Sequence, residues 1–469
     1  MSSSKDVLSG SHILSIPFPL QGHVNPVVQF SKLLASNGLK VTILTTTSTI
    51  PMSMQTETAT SISFESIFDD PCKEIESKDY YDAFIKTFQV SVSRNLEKLV
   101  EKFACSGYPV KVIVYDAHTP WILELAHKVG IKGAAFYTDS CSVSAALYHF
   151  QNGTLKFLLE EGGRSVVELP CLPEMRINDL PSFLSDQDSY PSLLEFVLFS
   201  NLNYGKADWL LFNTFDELEQ EVVNWMRKQW PIKTIGPLIP SKFFENKLIN
   251  DDKDYGLNLF SFSNSNCYMK WLDSKEQDSV AYVSFGSLSI QSEELMNEIA
   301  LGLQNSKCNF LWVVLESEGS KLPIDFKAHQ HLEGRGMIVS WCSQLEVLAH
   351  KSVGCFVTHS GWNSTLEALT LGVPMVAMPN MADQPTNSKF VVDVWGVGVS
   401  AKAGENGIVG REEVEKCVKE VLEGDKRIEL RQNALRWKKL ANEAVNGGSS
   451  EKNFKEFISE VYDLDRVLL

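Results

Sequence analysis

Features that would mark several protein classes are missing from this chain of 469 residues. Its nine cysteines contain no Cys-x-x-Cys pair, and the nearest two, Cys342 and Cys355, have no zinc-like spacing. That composition points to reduced thiols in a cytoplasmic protein, not to a disulfide scaffold or a zinc site. The start, Met1–Asp6, has no basic stretch followed by an apolar run, so no signal peptide is expected. The longest uncharged run, Val7–Ser31, is interrupted by Pro17, Pro19 and Pro26 and holds two histidines, which excludes a membrane span. Basic charge is scarce: 43 Lys and Arg face 59 Asp and Glu, for a net charge of −16. Such a chain repels phosphate backbones and anionic lipid, so nucleic acid is excluded as the main partner. One phosphorylated small molecule can still be held locally on backbone amides. Gly396-Val-Gly398 follows a predicted helix, not a strand, and lacks the third glycine a nicotinamide or flavin oxidoreductase needs. The segment His359-Ser360-Gly361 does not supply the Gly-x-Ser-x-Gly elbow of a serine hydrolase.

What is present reads as a folded α/β protein. Hydrophobic residues make up 44% and charged residues 22%, and the length suits two or three domains. His12–Ile16 is a short apolar run, Pro17–His23 turns the chain, and a helix capped by Asn25 with Pro26 in its first turn leads to a strand at Val41–Leu44. Strand, helix, strand in so few residues is a βαβ unit and implies a parallel sheet. The pattern repeats with strands at Val110–Val114, Gly133–Phe136, Trp209–Phe212 and Thr234–Gly236. Prolines, charges and serines without periodicity follow. A second series has strands at Val280–Phe285, Phe310–Val314, Gly336–Val339, Gly354–Thr358 and Pro374–Ala377. The expected organisation is an N-terminal domain over 1–240, a linker over 241–266, a second α/β domain over 267–450 and a terminal helix over 451–469. That helix carries Phe454, Phe457, Ile458 and Val461 on one face and is expected to pack back on the first domain. Two such domains place a cleft at the carboxyl ends of their strands, where ligands bind.

Two constellations carry chemistry. Thr358–Glu367 follows a strand and opens a helix; Gly361 permits close backbone approach, and Asn363, Ser364 and Thr365 are small donors at a helix N-terminus suited to phosphate. His23 follows the first strand and Asp116 ends another. Strand ends of one parallel sheet share an edge, so the two can meet. A neutral imidazole, with an ordinary pKa near about 6.5, can take a proton from a hydroxyl while a carboxylate on its other nitrogen fixes the tautomer. His12, His118, His127, His149, His329, His331 and His350 are expected to gather no two further ligating side chains. The pairs Asp186/Asp188, Asp252/Asp254 and Asp463/Asp465 follow no apolar strand and read as solvated acids. No metal is expected.

The 44 residues Trp341–Gln384, WCSQLEVLAHKSVGCFVTHSGWNSTLEALTLGVPMVAMPNMADQ, closely resemble the signature box of plant secondary-product UDP-glycosyltransferases. The resemblance extends to Pro17–His23, to the Ser284-Phe-Gly-Ser287 turn and to Gly448-Ser449-Ser450, and in effect spans the chain. It looks most like the branch that glucosylates terpenoid, steroid or small aromatic acceptors. It implies the GT-B fold, two Rossmann-like doubly wound domains facing across a cleft. It implies UDP-glucose as donor, a hydrophobic small-molecule acceptor, an inverting reaction giving a β-glucoside, and no permanently bound cofactor; a monomer is expected.

The resemblance also implies roles. Trp341 stacks on uracil, with Cys342 beside it, and Gln344 reaches the nucleoside. Glu367 accepts the ribose hydroxyls. His359, Gly361, Asn363, Ser364 and Ser287 hold the diphosphate. Asp383 and Gln384 bind sugar hydroxyls, Trp362 flanks the sugar, and Thr138 joins the donor contacts. His23 and Asp116 are the catalytic dyad. Phe18, Pro19 and Leu20, with Tyr148, Phe183 and Met381, line the acceptor pocket. Three positions depart from the pattern: Ser343 stands for Pro, Ser360 for Cys, and Met381 for a common aromatic. Met is more flexible than a ring, which predicts a more permissive pocket. The alternative reading is a sugar-nucleotide binder of the same fold that lacks turnover.

Overall fold

The structure is a computed structural model and describes residues 11–46, 62–68, 78–155, 166–188, 191–245, 265–287, 291–323, 326 and 334–466. Residues 246–264, most of the expected linker, lie outside the described residues, as do His329, His331 and the pair Asp252/Asp254. The chain divides into two units, Met1–Ile177 with Phe183–Leu259 and Glu443–Leu469, and Asn178–Ser182 with Phe260–Asn442.

The first unit is built on β1 (His12–Ile16), β2 (Lys40–Thr46), β3 (Ile62–Phe68), β4 (Val110–Asp116) and β5 (Lys132–Tyr137), with a small hairpin, β6 (Val166–Val167) and β7 (Met175–Arg176), standing apart. Strands β8 (Trp209–Phe212) and β9 (Ile232–Thr234) complete a seven-stranded sheet in the order β3-β2-β1-β4-β5-β8-β9, parallel throughout. Side chains alternate across each strand, and both faces are buried. Leu14, Ile16, Ile113 and Tyr115 pack on one face with Phe84, Phe88, Val92 and Leu96 of helix α2 (Lys78–Cys105), after helix α1 (Gln21–Ser36). Ile13, Val112 and Val114 pack on the other with Val27, Phe30 and Leu34 of α1 and Phe454, Phe457, Ile458 and Val461 of the terminal helix Ser449–Arg466.

The second unit has β10 (Val280–Ser284), β11 (Asn309–Val313), β12 (Gly336–Val339), β13 (Val353–Thr358), β14 (Met375–Ala377) and β15 (Gly398–Ser400). They form a six-stranded sheet in the order β12-β11-β10-β13-β14-β15, again all parallel. Both sheets have the doubly wound Rossmann order. In each, the strand order reverses beside the first strand, between β1 and β4 and between β10 and β13. Ligands bind such sheets outside the carboxyl ends at that reversal.

Three sequence expectations change. Helix α1 begins at Gln21, not at Asn25, so Pro26 lies inside it and His23 sits in its first turn. A proline there costs one backbone bond, to the carbonyl of Gly22, and the buried face formed by Val24, Val27, Val28 and Phe30 outweighs it. The last strand of the first sheet runs Ile232–Thr234, ending where the sequence pattern places its start. The edge strands β3 and β15 and helix α2 add elements the pattern did not mark.

Candidate active site

The carboxyl ends of β1, β4 and β5 assemble the first cluster. Asp116, the last residue of β4, is fully buried, and its Oδ2 lies 2.7 Å from His23 Nδ1. Thr138 Oγ1 lies 3.2 Å from the same nitrogen, so Nε2 is the nitrogen left to receive a proton. Burial alone would push the Asp116 carboxyl up; the His23 and His118 imidazoles hold it well below the ordinary carboxylate range. The geometry fixes the tautomer with Nδ1–H donating to Asp116 and the lone pair on Nε2. Thr138, assigned above to the donor, sits in this unit against the His23 ring.

His118 joins this cluster, contrary to the expectation that no histidine gathers two further ligating groups. His23, Asp116 and His118 bring one ligand atom each within 4.8 Å of one another, the one such trio among the described residues. Those atoms are already engaged. Asp116 Oδ1 accepts from the His118 backbone N–H at 3.0 Å and lies 3.0 Å from His118 Nδ1, and His118 Nε2 lies 3.2 Å from Asp139 Oδ2.

An apolar wall stands beside the dyad. Phe18 is buried, edge-on to His23 at 5.7 Å and against Phe84, Phe88 and Phe196 at 5.6, 5.5 and 4.7 Å. Pro19 and Leu20 are half-buried, and Phe183 is buried. Tyr148 is not brought to the dyad: its ring packs on Trp230 at 4.8 Å and Trp225 at 5.8 Å.

The second cluster lies where β10, β12, β13 and β14 end. His359 follows β13 and is half-buried, and its desolvation lowers its pKa to about 4, so it acts as a neutral imidazole. Two glycines make room for it. A Cβ at Gly361 would lie 2.5 Å from His359 Nε2, and one at Gly286 2.9 Å from Cε1. Gly286, at φ +82°, has a role that sequence reading missed, although it lies in the quoted Ser284–Ser287 turn. Ser287, next along, is half-buried. Gly361 caps the helix Trp362–Leu371, whose first turn carries Asn363 and Ser364 and so turns its amides to the loop after β13. Ser360, before the cap, holds a left-handed backbone at φ +63°.

Glu367 is buried one turn along from Ser364, and both meet Gln344: its Nε2 donates to Ser364 Oγ at 2.9 Å and to Glu367 Oε2 at 2.7 Å. Tyr282 OH of β10 donates to Gln344 Oε1 at 3.2 Å and lies 3.4 Å from the buried Cys342 Sγ. Trp341, half-buried, follows β12. Asp383 Oδ2 accepts from the Trp362 backbone N–H at 3.2 Å and from Asn387 Nδ2 at 2.6 Å. The Trp362 ring itself is buried, 6.1 Å from Trp395, so its tie to the loop is through the main chain. Gln384 Oε1 accepts from the backbone of Asn380 and Met381 at 2.8 and 3.0 Å. Ser182 clasps the same loop, exchanging two hydrogen bonds with Ala382.

One Rossmann sheet ends in an imidazole–carboxylate pair and the other in a helix N-terminus beside Gln344, Glu367 and Asp383. Residues 212–442 match the family described as UDP-glucoronosyl and UDP-glucosyl transferase, and residues 11–240 match a glycosyltransferase N-terminal domain. UDP-glucosyltransferase 45 of Panax ginseng is 47% identical over 461 residues, 97% of this chain and 99% of that protein. UDP glycosyltransferase 9 of Catharanthus roseus is 46% identical over 460 residues, 96% and 97% of the two. The crystal structure of Os79 from O. sativa in complex with UDP aligns with a TM-score of 0.85 at 36% identity, covering 96% of this chain and 100% of that one. A second Os79 structure holds U2F and trichothecene. The chain belongs to the plant UDP-glycosyltransferases and is an enzyme of that family. Among the described residues no helix is long and apolar enough to cross a membrane.

Proposed function

We propose that the protein transfers glucose from UDP-glucose to a hydroxyl or carboxyl of a hydrophobic small molecule, with inversion and without a metal. The observation that carries this is the 2.7 Å His23–Asp116 contact at the β1/β4 reversal, with Nε2 as the proton acceptor. His23 removes the acceptor's proton and the oxygen attacks the anomeric carbon. The bond from that carbon to the diphosphate breaks, and UDP leaves with the electron pair. A single displacement gives a β-glucoside. Asp116 stabilises the imidazolium that forms. Trp341, Gln344 and Glu367 take the nucleoside. The amides of Asn363 and Ser364, with His359 and Ser287, take the diphosphate and the charge that develops on departing UDP. Asp383 and Gln384 take the sugar. Because the Gln384 oxygen is held by backbone amides, its NH₂ is the group offered to the glucose hydroxyls.

The apolar wall of Phe18, Phe84, Phe88 and Phe196 supports an acceptor that is hydrophobic apart from its reacting group. The UDP and the trichothecene held in the Os79 structures fit the same reading. The test is a UDP-release screen with UDP-glucose, UDP-galactose and UDP-glucuronate against sterols, terpenoids, flavonoids and phenolic acids. UDP-glucose with a hydrophobic acceptor should give the highest release and a β-linked product. An α-linked product, or release from none of the acceptor classes, would overturn the proposal. At Met381, half-buried in the loop before Asp383, the flexible side chain leaves the acceptor range broad. Met381→Trp should narrow that range in the same screen, and an unchanged product profile would refute the assignment.

A further inference from the structure

His118 takes no part in the scheme above, yet it is the most completely enclosed ionisable contact of the dyad. Both of its ring nitrogens face carboxylate oxygens, Nδ1 at 3.0 Å from Asp116 Oδ1 and Nε2 at 3.2 Å from Asp139 Oδ2. A neutral imidazole has one N–H, so one of those contacts would set a lone pair against an anion; only the imidazolium satisfies both. The Phe196 ring stacks on it, centroids 5.1 Å apart, and the side chain is 3% exposed. Its ring centroid lies 5.4 Å from that of His23. The titratable groups facing this chain are His23 from α1, Asp116 from β4 and Asp139 after β5; Tyr137 and Tyr204 flank Asp139, and burial keeps both phenols protonated. Burial alone would lower the His118 pKa; Asp139 and Asp116 push it up to about 10.

We propose that His118, clamped as a cation between Asp116 and Asp139, is a positioning residue that sets the pH at which His23 can accept a proton, an inference resting on His23 as the base. Two effects follow from the geometry. The two donors on Asp116 Oδ1 fix the carboxylate plane, so Oδ2 stays aimed at His23 Nδ1. The positive charge also cancels part of the field that Asp116 and Asp139 exert on His23. At rest the four groups carry one net negative charge, and they become neutral when His23 takes the acceptor's proton. Without the cation they would carry two, and His23 would hold a proton to higher pH. Charges about 5 Å apart in a partly buried site shift such a titration by roughly one pH unit or more.

The experiment is the pH profile of kcat/KM for a hydroxyl acceptor in His118→Gln, which keeps a donor for Asp116 and loses the charge. The acidic limb should move up by about one unit, costing about tenfold at pH values below both limbs, less near pH 7, and recovering near pH 9, with KM for UDP-glucose unchanged. General structural damage would not recover with pH. Histidine ¹³C NMR on the same chain, with the His23 signal assigned from His23→Ala, separates the two claims. If the His23 titration moves up while the rate limb stays, this proposal stands and His23 is not the base. If the His23 titration does not move, this proposal fails whatever the rate does. Should His118→Gln not fold, the wild-type chain still decides: His118 must keep both ring protons from pH 6 to 8.5, and a neutral His118 in that range overturns the proposal.

Discussion

His23→Ala will lower turnover with a hydroxyl acceptor by about 10²–10⁴-fold, the usual worth of a positioned general base. The loss should fall on kcat and kcat/KM together, because the imidazole acts on the proton in flight and not on the bound donor. UDP-glucose binding should survive, since the residues assigned to the nucleotide all come from the second sheet. A carboxylic acid acceptor offers a sharper contrast. It is ionised at neutral pH and needs no base, so its transfer should fall much less than that of an alcohol or phenol. Equal losses for both acceptor types would mean that His23 orients the acceptor and does not deprotonate it. Near-normal transfer to an alcohol would remove the base assignment altogether.

The dyad was legible in the sequence because it needs only two facts, that β1 and β4 belong to one parallel sheet and that suitable side chains stand at their carboxyl ends, Asp116 closing β4 and His23 in the turn of helix that follows β1. The same logic fails for His118 and Asp139. Their pairing depends on how the turn after β4 folds back and on the residue that follows β5, and neither leaves a periodic trace. The sheet centres were readable as continuous apolar runs, Val110–Val114 and Val280–Phe285 among them, because both faces are covered. Strand β3 was not, since Ser63, Glu65 and Ser66 interrupt it at an edge where one side needs no burial. Helix α2 did carry a signal, Phe84, Phe88, Val92, Leu96 and Phe103 at helical spacing, in a stretch rich in charge. Tyr148 shows the opposite failure. An aromatic side chain in the first α/β domain invites a pocket role, but Trp225 and Trp230 absorb it into packing. Apolar residues reveal burial from sequence alone; which surface they bury against is a tertiary fact.

The residues proposed for the donor come from the sequence one at a time; the structure shows that several of them lean on one another, and Glu367 is where that matters most. Glu367→Ala should raise the KM for UDP-glucose by about 10²-fold, from the loss of charge-assisted hydrogen bonds worth roughly 1.5–3 kcal/mol each to the ribose hydroxyls. The carboxylate is 2% exposed, and Gln344 Nε2 donates to it at 2.7 Å, so removing it also leaves that amide with a lost partner beside the nucleoside site. Glu367→Gln keeps one acceptor oxygen without the charge and should fall between, at about tenfold. A loss of affinity alone would not distinguish recognition of the ribose from a loosened Gln344. The distinction comes from 2′,3′-dideoxy-UDP, measured by calorimetry against UDP. If Glu367 reads the hydroxyls, wild type should bind the dideoxy nucleotide far more weakly than UDP, and Glu367→Ala should bind the two alike. If the variant still prefers UDP by the wild-type margin, the ribose is held by other groups, and Glu367 is there to hold Gln344 and the first turns of its helix in place.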